Sequence, residues 1–194
     1  MRARPLLPVL TALLLALAAT RSGAQAPGDP ATLLAAQRVA LKPLAFMDGV
    51  WRGPAWTIVS PGVKHEVTQT ERIGPFLDGT VKVMEGRGYD ASGKVTFNAF
   101  AILSFDPAKQ SYTLHSHAMG RVGDFALVPS DSGYVWEIPA GPMTIRYTAL
   151  IRGSKWREIG ERVAPGQPAV QFFEMNLVRV RDTDWPAAGA VSMK

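Results

Sequence analysis

The chain has 194 residues, no cysteine, and 21 basic against 16 acidic residues, a formal net charge of +5. The lack of cysteine excludes disulfides, zinc–thiolate sites, iron–sulfur clusters and thiol nucleophiles, so stability must come from an ordinary packed core. The positive excess is concentrated at the start: without Arg2, Arg4 and Arg21, 18 basic residues face 16 acidic ones, and neither a nucleic-acid nor an anionic-lipid partner is indicated.

Arg2 and Arg4 precede the apolar run "LLPVLTALLLALAA", and Ser22, Gly23 and Ala24 follow it, the three regions of a secretory signal peptide. The run is well short of the roughly 20 residues that a spanning helix needs, which argues against a stable membrane anchor. Cleavage is expected after Ala24, since the alternative after Ala26 would leave Pro27 first. The expected organisation is a signal peptide (1–24), a linker and N-terminal helix (25–43), a β-barrel domain (44–181) and a C-terminal tail (182–194), in a periplasmic or secreted protein. Gln25 at the mature end offers no cysteine for a lipoprotein anchor.

One helix is predicted. Asp29 can cap it, Pro30 suits its first position, "ATLLAAQRVAL" continues it and Pro43 is expected to stop it. The remainder reads as strands at 49–59, 63–73, 79–89, 95–106, 110–119, 122–128, 133–138, 142–152, 155–164 and 171–181. Turn punctuation such as "SPG", "DASGK", "DPAKQ" and "SDSG" separates most of them. Closing such a meander removes its exposed edges, so an all-β, antiparallel up-and-down barrel of about 8–10 strands is expected.

In a closed barrel, alternate residues point in and out. On "VKHEVTQTERI" the apolar face of Val63, Val67 and Ile73 also carries His65, Gln69 and Glu71, and it is assigned to the interior. On "PMTIRYTALIR" the inner set is Met143, Ile145, Tyr147, Ala149 and Ile151. "KVTFNAFAILSF" is apolar on both faces, which suggests that one of them meets the helix or a partner chain.

Helix followed by "FMDGVWRGPAW" resembles the opening of calycin-type barrels, the lipocalin and fatty-acid-binding group. There a Gly-x-Trp on the first strand plugs the closed end; here that is Gly49 and Trp51. In lipocalins a last-strand arginine stacks on this tryptophan, a role open to Arg179 or Arg181. Together with "ERIGPFLDGTVKVMEGRGYD", "ILSFDPAKQSYTLHSHAMG" and "KWREIGERV", the stretch resembles an uncharacterised bacterial family of exported calycin-like barrels, over roughly residues 44–181. The resemblance implies a fold and no established activity. Nitrobindins resemble the chain at the first strand and ligate haem through a late histidine, but "FFEMNLVRV" holds none.

"YTLHSH" sets His115 and His117 on one face of a strand, where both imidazoles can reach one metal, hydrogen-bond to wall residues or contact a ligand. The Glu that follows His-x-His in cupins is absent, with Gly120 and Arg121 in its place. No metal site or cofactor is assigned. Glu85 and Arg87 share a face and are further polar candidates for a cavity. A Ser-His-acid set can be drawn from Ser104 or Ser116 with His115 and Asp124, without a nucleophile elbow to support it.

Three functions remain open. The first is a binding barrel for a small hydrophobic or amphipathic molecule, contacted by His65, Gln69, Glu71, Glu85, Arg87, His115, His117 and Tyr147. The second is a small barrel enzyme, an isomerase, cyclase or hydrolase, with His115 or His117 as base and Glu71 or Arg87 as partner. The third is an envelope interaction protein with a filled barrel, Phe97, Phe100, Phe172 and Phe173 marking a homodimer face. N-terminal sequencing of the exported protein is expected to begin at Gln25; a start within residues 1–24 would refute cleavage after Ala24.

Overall fold

A computed structural model describes residues 28–185; the expected signal peptide and most of the tail lie outside them. Helix α1 (Pro30–Leu41) begins where Asp29 accepts a bond from the Thr32 amide at 3.2 Å, with Pro30 in its first turn. The α-helix ends at Leu41, just ahead of Pro43 as expected, but the helical path does not stop there. The fixed φ and missing N–H of Pro43 are tolerated at the start of a new turn, and the chain runs on as a 3-10 segment, Lys42–Met47. Leu41, Leu44 and Met47 from this stretch are buried.

Ten strands follow: β1 (Gly49–Ser60), β2 (Val63–Phe76), β3 (Val81–Tyr89), β4 (Val95–Asp106), β5 (Ser111–Ala118), β6 (Arg121–Ser130), β7 (Gly133–Ala140), β8 (Met143–Arg152), β9 (Lys155–Val163) and β10 (Val170–Arg181). Each pairs antiparallel with its sequence neighbours, and β1 also pairs with β10, closing the barrel. The expected up-and-down barrel is the fold, with each strand within a few residues of its predicted span. Hairpin β5–β6 turns on Met119 and Gly120, both with positive φ (50° and 79°), the type I′ geometry that matches strand twist.

The helical segment closes one end. Trp51 is fully buried against Leu44 and Met47 and donates its Nε1–H to the Met47 carbonyl at 3.0 Å. Register pairs Trp51 with Arg179, whose guanidinium lies 4.4 Å from the indole centroid. The same guanidinium donates to the carbonyls of Phe46 and Asp48, stitching the last strand to the segment before the first. The stacking arginine is therefore Arg179; Arg181 instead pairs with Asp184 at 3.1 Å. Trp156 meets Trp51 edge-on at 5.6 Å, and the buried Lys82 bonds Asp48 at 2.6 Å.

Removing the guanidinium strands two carbonyls and a π face, at roughly 1–3 kcal/mol for each kind of contact. Arg179→Leu is expected to lower unfolding stability in urea by about 3 kcal/mol, with Arg179→Lys recovering less than half because a single ammonium cannot stack and fork together. A loss under about 0.5 kcal/mol would contradict this account of the floor.

Candidate functional site

Strand register stacks the inward side chains in layers. At the level of Gln69 and Glu71 on β2, the neighbours are Gly53 on β1 and Gly88 and Gly86 on β3. On the far wall Trp136 of β7 opposes Tyr147 of β8, Tyr147 opposes Gly160 of β9, and Glu158 of β9 lies between Ala149 and Met175. These walls enclose a cavity of about 980 Å³. Its floor rests on Trp156, and its mouth lies at the end away from the helix, where the exposed Val59, Met119 and Val122 reach its edge.

Two carboxyl groups sit deep in this space. Gln69 donates its side-chain amide to Glu71 Oε1 at 2.7 Å. The cross-strand position is glycine for a steric reason: a Cβ on Gly86 would lie 2.7 Å from Glu71 Oε1. Glu158 is 5% exposed and accepts from Tyr134 Oη at 2.9 Å and Trp136 Nε1 at 3.2 Å. Among the described residues neither carboxyl has a cation within salt-bridge distance. Trp156 Nε1, also buried at the cavity floor, has no hydrogen-bond partner of good geometry among them.

Enclosure dominates the chemistry of this pair. Burial pushes the Glu71 carboxyl from 4.5 up to about 8; the Gln69 amide opposes the rise, and the Glu158 charge adds to it. What surface Glu71 keeps opens into the cavity rather than bulk solvent. Burial also raises Glu158, against the pull of its Trp136 and Tyr134 donors. At neutral pH Glu71 therefore holds a proton, while at Glu158 the donors offset part of the rise that burial causes. Tyr147 is pushed up to about 12, chiefly by burial, and stays a phenol.

The rest of the wall is aromatic. Trp136 and Tyr147 stack at 4.4 Å and 9°, Phe172 and Phe173 meet Tyr147 edge-on at 5.9 and 5.7 Å, and Phe125 tilts against Trp136. Nearer the mouth, the Arg162 guanidinium sits 4.6 Å from the Phe172 ring, and His65 faces Thr96 at 3.4 Å.

Of the residues singled out from sequence, the cavity brings together His65, Gln69, Glu71 and Tyr147; Gly49 and Trp51 lie at the closed end. His115, His117, Glu85 and Arg87 do not join them. Leu114, Ser116 and Ala118 take the inward phase of β5, and Met84 and Gly86 that of β3, so those four residues project outward. Glu85 and Arg87 form an ion pair on the outer wall at 2.5 Å. A base at His115 or His117 acting with Glu71 is thereby ruled out, because the barrel wall separates them. Phe97, Phe172 and Phe173 face the cavity, leaving only Phe100 of the expected dimer face on the outside. The open interior likewise corrects the filled-barrel alternative.

The serine–histidine–acid set does form, but on the outer wall. Ser104 Oγ is 3.3 Å from His115 Nε2, and His115 Nδ1 is 2.6 Å from Asp124 Oδ1. The strands on both sides run in regular antiparallel register, so their amides are spent on the ladder and none is spare to stabilise an oxyanion. Sequence reasoning missed Glu158, Tyr134, Trp136 and Arg162. The available signal was the alternation of Trp156, Glu158, Gly160 and Arg162, in which a bulky apolar residue and a glycine mark the inner face.

No family model matches the chain, and no curated protein matches it. Solved structures do. Rv2717c from M. tuberculosis is similar with a TM-score of 0.55 at 14% identity, over 73% of this chain and 98% of that one. The S-type phycobiliprotein lyase CPES from Guillardia theta is similar at 0.51 and 13%, over 77% and 97%. At such identities the likeness establishes a calycin-like barrel fold and nothing of the chemistry.

A carboxyl whose pKa rises on folding makes the native state bind more protons than the unfolded one between the two values, so stability falls as pH rises through that window. Unfolding free energy is expected to drop by about 2–4 kcal/mol between pH 4.5 and 8.5, water in the cavity moderating the full shift. Glu71→Gln should flatten most of this slope, as read by urea titrations across pH. A wild-type profile that is flat or rises there would show that Glu71 ionises freely.

Proposed function

We propose that the protein is an exported binding barrel that holds one small, largely apolar molecule with a flat or aromatic body inside the cavity. The observation that carries this reading is the open interior itself. A barrel of this type can fill with its own side chains, yet this one leaves about 980 Å³ free, walled by aromatic rings and closed beneath by Trp51 and Trp156. Small inward residues keep it open: Gly86, Ala99, Ala101 and Ser116 stand where larger side chains would fill it. The parallel Trp136–Tyr147 pair presents flat surface, and Arg162 and His65 add polar contacts toward the mouth. One structural neighbour is named as a phycobiliprotein lyase, which supports a small-ligand role for such a barrel without indicating which ligand this chain takes. Export rests on the N-terminal sequence, which has the three regions of a signal peptide.

N-phenyl-1-naphthylamine, a neutral dye that fluoresces when shielded from water, tests the cavity directly. Wild type is expected to bind it, Ala99→Trp to weaken binding at least tenfold while keeping its circular dichroism and melting cooperativity, and His115→Ala/His117→Ala to bind as wild type does. Absence of binding, or binding indifferent to Ala99→Trp, would refute an internal site.

A further inference from the structure

The cavity floor is chemically unfinished. Glu71 on β2 and Glu158 on β9, with only β1 and β10 between their strands, face the same enclosed space with no cation paired to either among the described residues. Ionising one unpaired buried carboxyl is costly, and ionising two that feel one another is costlier, unless something with complementary charge arrives. Their hydrogen-bonding capacity is also incomplete. Glu71 Oε1 takes one bond from Gln69, and the two oxygens of Glu158 take one each from Tyr134 and Trp136, leaving lone pairs turned to the cavity. The Trp156 indole N–H, on a side chain 2% exposed at the floor, lies close enough to Glu158 to favour its charged form but makes no well-aligned hydrogen bond to it. Around these groups stand the rings of Tyr134, Trp136, Tyr147 and Trp156, and aromatic faces beside a carboxylate are the surroundings in which organic cations are held.

We propose that the inner end of the ligand is a basic nitrogen group, an organic ammonium or amidinium, seated between Glu71 and Glu158 on the cavity floor, with the apolar body lying against Trp136 and Tyr147. The inference rests on the binding-barrel reading above and names the chemical class of its ligand. The cation donates to the free lone pairs of both carboxyls, and Glu71 releases its proton to the solvent as the nitrogen docks. Among the described residues no side-chain cation competes for the place. Lys82 lies lower and is held by Asp48 at 2.6 Å, Arg179 is stacked on Trp51, and Arg162 is higher, against Phe172. The other titratable groups facing the floor are Tyr134 and Tyr147, both held as phenols by burial; His65 sits above, and Glu85 lies behind Glu71 across the wall.

Three probes that share one body and differ in the head decide the matter: 2-naphthylmethylamine, 2-naphthylmethanol and 2-naphthoate, titrated calorimetrically into the purified protein. At pH 8 the amine is expected to bind at least tenfold more tightly than the alcohol, with the carboxylate weakest. In Glu158→Gln the preference for amine over alcohol should collapse to within about threefold, while alcohol binding shows that the variant is folded and its cavity open. Titrations in buffers of different ionisation enthalpy should show about one proton released per amine bound at pH 7. Amine affinity should fall at least tenfold from pH 8 to pH 5.5, where the amine stays charged and the floor takes up protons. Alcohol or carboxylate binding as tightly as the amine overturns the cationic head and leaves the binding barrel standing. Failure of all three probes overturns both.

Discussion

Pairing of β1 with β10 is the constraint from which the rest follows. With no free sheet edge, every strand residue is committed to one of two environments, and neighbouring residues are committed oppositely. The seam is held where the two strands meet the preceding helical segment. Arg179 on β10 stacks on Trp51 of β1 and bonds carbonyls of Phe46 and Asp48, so a single guanidinium joins the end of the barrel to the chain that enters it. Beneath this plug Leu44 and Met47 exclude water, and above it Trp156 forms the cavity floor. The closed end is a solid core, and the cavity begins where the inward side chains become small.

The interior is organised as a gradient. Lys82 and Asp48 neutralise one another at the closed end, the unpaired carboxyls of Glu71 and Glu158 follow, aromatic rings form the middle, and Arg162 stands toward the mouth. Keeping two acids in an apolar cavity works against stability, and the structure accommodates rather than avoids them. Gly86 makes room for Glu71, Gln69 orients it, and Tyr134 and Trp136 fix Glu158. A fold that only needed stability would place apolar residues at both positions, which is why a destabilising arrangement held by specific neighbours points to function.

The histidines of "YTLHSH" show how local pattern misleads. Their spacing correctly places both on one face, but that face is the outside, because Leu114, Ser116 and Ala118 supply the inward phase. Period-two alternation identifies two faces and does not say which one is inner when both are of mixed character. On β2 the apolar residues Val63, Val67 and Ile73 marked the inner face, so His65, Gln69 and Glu71 were legible. On β3 the pair Glu85 and Arg87 was the more conspicuous, yet the inner phase belongs to Met84, Gly86 and Gly88, two of them glycines without a hydrophobic signature. Glu158 was hidden for a similar reason, since "KWREIGERV" alternates charge on both faces.

Turn residues, strand length and alternation are local properties, and from them the amino-acid sequence by itself determined the antiparallel strands and a capped N-terminal helix, while the tryptophan at the closed end followed from the resemblance of "FMDGVWRGPAW" to calycin-type barrels. Those signals act within a few residues of one another and so can be read along the chain. Which of Arg179 and Arg181 meets Trp51, that Glu71 and Glu158 share an enclosed floor, and that His115 belongs to the outer wall were decided only by tertiary structure. Each depends on the register between strands far apart in sequence and on the closure of β1 against β10, and no local pattern encodes how distant strands align around a barrel.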